Sequence, residues 1–352
     1  MRAPPTVATV RCHGVASPVR RVALSSALAL AAAALALAPC PPAHAQASAS
    51  AVRDYPARPI RVVVGYAPGG TTDILSRLLA VHLAQSLGQP VLIDNRPGAS
   101  AMIGTQVVAT AAPDGHTLLM TPSGTHTSNL SLYRKMPYDT VKDLAPITLF
   151  AWVSNMIVTH PSTPINSLQD LIRAARAAPG KLTYASVGIG SVSHLSAEML
   201  KNLAGIDVTH VPYKGGGPAL AAIASNEVTI MFAALPSASS FVQSKRIKPL
   251  VVTSPKRSPT LPEVPTVSEA GIAGLQVMEW YGALAPAGTP RPIVQRLYDE
   301  IAAIVRKPDV TARFLELGAD PDFMNPAEFG RQIVADIQMW AKVVRQSGIR
   351  AD

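Results

Sequence analysis

Cysteine is nearly absent. The 352-residue chain has two, Cys12 and Cys40, and both fall within its first 45 residues. Beyond them no thiol remains, which excludes disulfides, thiol nucleophiles and cysteine metal ligands. Aromatic residues make up 5%, which argues against a sugar-stacking site. No segment after residue 45 is long and apolar enough to span a bilayer, which takes roughly 20 residues. Basic residues are scattered and never interleaved with aromatics, so nucleic acid is not indicated as a partner. Catalytic signatures are missing too. Gly188-Ile189-Gly190-Ser191 is no nucleophile elbow, because no glycine stands two residues after the serine. His116 and His126 lack the spacing of a metal-binding pair. The pattern G-x-x-x-x-G-K-[ST] does not occur, and Gly65 to Gly70 does not make G-x-G-x-x-G. No catalytic residue, metal or cofactor is expected.

What is present begins with a leader. Met1–Arg21 carries four arginines and no acid, 22–38 is an unbroken run of small and apolar residues, and Ala43 and Ala45 occupy the small positions of a cleavage site. This pattern is a cleavable secretory signal, residues 1–45, rather than an anchor, since the run is short for a span. It sends the protein to the periplasm, by the general or the twin-arginine route. Without the leader's four arginines, 27 basic residues face 22 acidic ones, a mildly positive balance compatible with anionic small ligands. The remaining chain is long enough for two domains of about 150 residues.

The central stretch is Arg61-Val62-Val63-Val64-Gly65-Tyr66-Ala67-Pro68-Gly69-Gly70-Thr71-Thr72-Asp73. A buried-strand run enters a Pro-Gly-Gly turn that opens into an amphipathic helix at Thr71–Leu87. Glycines allow backbone N–H groups to approach a ligand, and a helix start carries partial positive charge. Such a turn suits a carboxylate, sulfate or phosphate. Asp73 either complements the helix dipole or accepts a hydrogen bond from an ammonium, amide or hydroxyl. The arrangement returns as Ser186-Val187-Gly188-Ile189-Gly190-Ser191-Val192-Ser193-His194 and as Val211-Pro212-Tyr213-Lys214-Gly215-Gly216-Gly217-Pro218. Ser191 can cap the second helix. His194 either packs or donates to a ligand, and Tyr213 either walls a pocket or packs. Pro218 is expected at the first helical position, where a missing N–H costs nothing.

Strands and helices alternate along the chain, which indicates parallel sheets. Three strands, 60–65, 91–95 and 117–121, alternate with helices at 71–87 and 103–112. Pro122-Ser123-Gly124 reads as a turn. Residues 143–159 form a long extended crossover, after which the β–α rhythm restarts through 253. A second crossover, 276–284, leads to three closing helices. The expected fold is α/β: two lobes, each a mostly parallel sheet flanked by helices, joined by two extended crossovers into a clam. Lobe one is 46–152 with 277–352, and lobe two is 153–276. Ligands in open α/β sheets sit beyond the carboxyl ends of the strands, where all the glycine-rich turns lie.

Seven motifs in order carry a resemblance. They are Tyr55-Pro56-x-Arg58-Pro59-Ile60-Arg61; the Ala67-Pro68-Gly69-Gly70-x-x-Asp73 loop; Asp94-Asn95-Arg96-Pro97-Gly98-Ala99; Pro113-Asp114-Gly115-His116-Thr117-Leu118-Leu119; the Val211–Ala219 stretch; Leu261-Pro262-x-Val264-Pro265-Thr266; and Trp280-Tyr281-Gly282 through Pro286-Ala287-Gly288-Thr289-Pro290. The chain resembles the Bug proteins, the solute receptors of the tripartite tricarboxylate transporter group, from Tyr55 to about Gly348. The resemblance implies a monomeric, non-enzymatic receptor with the two-lobed Venus-flytrap fold of a type II periplasmic binding protein. It would hold a small carboxylate between its lobes and present it to inner-membrane transporter subunits. Carried over, the ligand set is Tyr66, Ala67, Gly70, Thr71 and Asp73 from lobe one, and Gly188, Gly190, Ser191, His194, Tyr213 and Gly216 from lobe two. A sensor-presenting protein would share the fold and the ligand. A secreted enzyme would need a nucleophile–base pair in the cleft.

Overall fold

In the computed structural model, residues 54–349 are described, so the expected leader lies outside them. Ten strands form one curled sheet. Its main path runs β2 (Val91–Asn95), β1 (Ile60–Val64), β3 (Thr117–Pro122), β9 (Met278–Pro286), β4 (Leu144–Thr159), β7 (Ile230–Ala234), β5 (Thr183–Ser186) and β6 (Thr209–Pro212). Two further strands, β8 (Lys248–Val252) and β10 (Ala319–Pro321), pair with β4. β1 runs parallel to β2 and β3, and β5 runs parallel to β6 and β7. These are the strand pairs that βαβ connections produce.

The two halves of the sheet meet on β4. Leu144–Ser154 pairs antiparallel with β9, whereas Asn155–Thr159 pairs with β7 and β8. The stretch read as a crossover is thus a single 16-residue strand. Trp280 on β9 is fully buried, meets Phe329 edge-on at 4.9 Å, and donates from its indole N–H to Asp336 at 2.6 Å. Successive strand side chains alternate faces, so Glu279 and Tyr281 project away from this core.

Helices flank the sheet. α1 (Thr71–Leu87) buries Leu75, Leu79 and Leu83 at helical spacing and ends on Gly88, whose φ of 69° a side chain would resist. α2 is Met102–Ala109 and α3 is Ser123–Leu132. α4 (Leu168–Ala177) is capped by Ser167, which accepts from the Asp170 N–H. α5 (Val192–Ala204), α6 (Gly216–Ala224) and α7 (Leu235–Gln243) follow. α8 (Arg291–Val305), α9 (Pro308–Glu316) and α10 (Pro326–Ser347) close the chain. An Asn325–Glu328 capping box starts α10. Its Phe329 and Ile333 join the β-sheet core, and Trp340 and Val344 pack against Leu132, Val192 and Leu195.

Two local expectations are corrected. Residues 122–124 do not form a loop: Ser123 begins α3, a helix of polar side chains buried on nearly every face. Gly216 and Gly217 are helical, which puts Pro218 at the third helical position rather than the first. There too an N–H would have no intrahelical acceptor.

Candidate functional site

The first glycine loop and the third touch. The Ala67 N–H donates to the Lys214 carbonyl at 3.0 Å. A methyl on Gly70 would lie 3.3 Å from the Gly216 nitrogen, and one on Gly217 would lie 2.6 Å from the Pro68 carbonyl oxygen. Only glycine permits this approach. It brings two helix starts, at Gly70 and Gly215, to one place, and no side chain caps either. The first-turn N–H groups of α1 and α6 therefore lack intrahelical and side-chain acceptors. By contrast, α5 is capped by Ser191, whose Oγ accepts from the His194 N–H.

Between these elements lies a tight pocket of about 40 Å³. Gly70, Thr71 and Thr72 supply one wall, and Gly216, Ser237, Met231 and Phe232 another. Asn155, Glu279 and Tyr281 come from the long strands β4 and β9, and Ser193 from the start of α5. Tyr66 completes it, its hydroxyl bonded to Thr125 on α3. No lysine, arginine or histidine is among the lining residues. An anion here would be held by backbone N–H groups and neutral donors.

Two polar atoms of the lining are buried and unsatisfied. Thr71 Oγ1 lies near the Tyr281 phenol but outside hydrogen-bond geometry with any described protein atom, and Asn155 Nδ2 has no partner. The Asn155 backbone is fixed by Thr253, whose Oγ accepts its N–H at 2.9 Å. Buried donors normally find acceptors, so this pair marks a place that a ligand or water completes. Glu279 is buried beside them. It accepts from the Tyr281 hydroxyl at 3.0 Å and from the Gly124 N–H at the start of α3. Burial pushes its carboxyl up to about 7, against the pull of those two bonds. Burial and the Glu279 charge push the Tyr281 phenol far above its usual range, and burial does the same to Tyr66.

Of the residues singled out from sequence, Tyr66, Gly70, Thr71 and Gly216 line this pocket. Gly188 and Tyr213 line a neighbouring cavity that also reaches Tyr66. Ala67, Asp73, Gly190, Ser191 and His194 line neither cavity. Asp73 is spent on the protein itself: it accepts from the Gly69 N–H at 3.0 Å, from Arg77 at 2.9–3.1 Å and from Asn95 at 3.1 Å. These bonds hold the Pro-Gly-Gly loop. Burial raises its pKa, but the hydrogen bonds from Arg77, Gly69 and Asn95 outweigh it and leave the carboxyl below its usual range. His194 accepts from the Gly190 N–H at 3.1 Å and stacks on His210 at 4.2 Å, and burial lowers its pKa to about 4. The Gly190 carbonyl takes the Ser128 hydroxyl of α3 at 2.7 Å.

Sequence reasoning missed Asn155, Ser193, Glu279 and Tyr281. A signal existed for Asn155 and Glu279, since each is a polar residue inside an apolar run. A Ser–His contact does occur, Ser186 to His210 at 2.6 Å, but Ser186 is fully buried and lines neither cavity.

The curled α/β sheet, with a pocket between uncapped helix starts, is the architecture of solved periplasmic binding proteins. Rpa4515 of R. palustris, solved with adipate, is 38% identical with a TM-score of 0.82, over 84% of this chain and 99% of that one. MatC of Rhodopseudomonas palustris, solved with malate, is 34% identical with a TM-score of 0.78, over 82% and 100%. BugT of Bordetella pertussis is 36% identical over 84% of this chain and 91% of its own length. The model of the tripartite tricarboxylate transporter family receptor matches residues 75–349. The chain belongs to that receptor family, as its motifs suggested.

Proposed function

We propose that the protein is a periplasmic receptor that captures a small carboxylate between its two lobes, 46–152 with 277–352 and 153–276. The carrying observation is the pair of uncapped helix starts converging on one pocket with two unsatisfied buried polar atoms. Each helix start favours an anion by about 0.3–1 kcal/mol, and more where it is partly buried. The ligand's carboxylate sits at the N–H groups of Gly70–Thr72 and Gly216, within reach of Thr71 and Asn155. Tyr66 closes one side. Ala67, Asp73, Gly190, Ser191 and His194 act one layer back by fixing the loops, and Gly188 and Tyr213 border the entrance. The relatives solved with adipate and malate support a carboxylate as the ligand class.

A ligand that touches both lobes favours the closed state in proportion to the contacts it makes only there. The contact between the glycine loops is read as that closed state. The closed form is then recognised by inner-membrane transporter subunits, with the receptor as a monomer and no chemistry performed. The cleavable leader places it in the periplasm. The test is a thermal-shift screen of ligand-stripped protein against mono-, di-, tri- and amino-carboxylates. A ligand at 100 times its Kd adds about 2.7 kcal/mol of stability, which raises Tm by several degrees. A flat response to every carboxylate would end the carboxylate reading.

A further inference from the structure

We infer that Glu279 reads a second group on the ligand, and that this group is an ammonium: the receptor selects an amino-carboxylate over a plain dicarboxylate. This rests on the carboxylate reading above and names its ligand class.

The pocket has two chemically opposite poles. One is all donors: the free N–H groups at the starts of α1 and α6, with Asn155 Nδ2 unsatisfied beside them. The other is a single acid. Glu279 lines the pocket with 6% of its surface exposed. Both groups that meet its carboxyl, the Tyr281 hydroxyl and the Gly124 N–H, are donors. A carboxylate has about four lone-pair sites, so acceptor capacity remains for a ligand. Those two bonds favour the ionised form, against the burial that raises its pKa. No cation in the lining neutralises it, and a buried carboxylate without a counter-charge is costly. An ammonium on the ligand supplies that charge. A second ligand carboxylate would instead place like charges together in a desolvated site, and would bind only with uptake of a proton.

This moves a role that the sequence offered to Asp73. That residue's oxygens are taken by Arg77, Gly69 and Asn95, so the acid that can read a ligand donor is the one on β9. The titratable groups facing Glu279 are Tyr281 on its own strand and Tyr66 on the loop before α1. Both are phenols held neutral by burial, so they contribute no charge at ordinary pH. With its carboxyl near 7, Glu279 titrates in an accessible range, which makes the selection pH-dependent.

The test is calorimetric titration of the ligand-stripped full chain with length-matched pairs, each an ω-amino acid and the corresponding dicarboxylate, alongside the plain monocarboxylate and α-amino acids. At about pH 8 the best amino-carboxylate should bind at least about tenfold more tightly than its dicarboxylate partner, a difference of one decade in Kd. Glu279→Gln should bring that ratio close to one. Wild-type protein supplies an independent arm: lowering the pH through about 7 should weaken the amino-carboxylate and strengthen the dicarboxylate. A dicarboxylate that binds more tightly at about pH 8, or a preference unmoved by both Glu279→Gln and pH, overturns the inference while leaving the carboxylate reading intact. Failure of every carboxylate to bind overturns both.

Discussion

Gly217→Ala should separate ligand binding from folding. Gly217 has no positive φ, so alanine fits its backbone, and the site lies in the first turn of α6. The added methyl would meet the Pro68 carbonyl oxygen at 2.6 Å, well inside contact distance. The α1 and α6 loops must then part, which strains or breaks the 3.0 Å bond from Ala67 N–H to the Lys214 carbonyl. That bond is worth about 1 kcal/mol net, and overpacking adds about 1–3 kcal/mol. The total of about 2–4 kcal/mol falls only on the state in which the loops touch, so affinity drops by about 30- to 700-fold. The unliganded protein should lose little stability, since alanine is favoured over glycine in a helix by up to about 1 kcal/mol. Calorimetric titration with the best carboxylate, together with unliganded thermal unfolding, measures both. Unchanged affinity would refute the idea that the ligand requires the two glycine loops in contact.

Other outcomes follow from single groups. Thr71→Val removes a hydroxyl that bonds no described protein atom, so affinity should drop about tenfold with Tm unchanged or slightly higher; a Tm loss of many degrees without ligand would contradict this. Asp73→Ala leaves the Gly69 N–H unpaired and takes from Arg77 its carboxylate partner, leaving it the bond to Asn95 at 3.1 Å, and should cost about 2 kcal/mol in denaturant unfolding. Because the Asp73 pKa is lowered by folding, its contribution is present above the ordinary aspartate value and lost as pH falls through the folded one. Glu279 has the opposite sign. Its pKa is raised to about 7, so its contribution is full below the ordinary glutamate value and lost as pH rises through about 7. Glu279→Gln should therefore stabilise the unliganded protein at about pH 8 by about 3 kcal/mol relative to its effect at about pH 4, at 1.36 kcal/mol per pKa unit, as pH-dependent denaturant unfolding would show.

Elements with a clear apolar period and chemical stops were legible in the sequence. α1, α4 and α10 have the boundaries that periodicity, Gly88 and the capping residues imply. α3 was not, because Ser123-Gly124-Thr125-His126-Thr127-Ser128-Asn129 has no apolar stripe. Its burial is made possible by tertiary bonds, Ser128 to the Gly190 carbonyl and Asn129 to the Ser100 carbonyl at 3.0 Å, which no local pattern encodes. α7 escaped for another reason: it is short and serine-rich, although Leu235, Ala238, Phe241 and Val242 pack on the core. At the site, glycine-rich turns announce themselves, so Gly70, Thr71 and Gly216 were found. Asn155 and Glu279 sit on strands that read as mere connections. Only the pairing of β4 with β9 and β7 turns them toward the pocket. Asp73 shows the converse: a conspicuous acid in a conspicuous motif whose bonds all go to its own loop.

The most direct test is the structure of the protein with its tightest-binding carboxylate. A carboxylate oxygen should lie within hydrogen-bond distance of the N–H groups of Thr71 or Thr72 and of Asn155 Nδ2, with the Gly216 loop closed over it. A ligand seated elsewhere, for instance in the groove beside Ser254–Pro259 and Leu315, with the starts of α1 and α6 untouched, would contradict it.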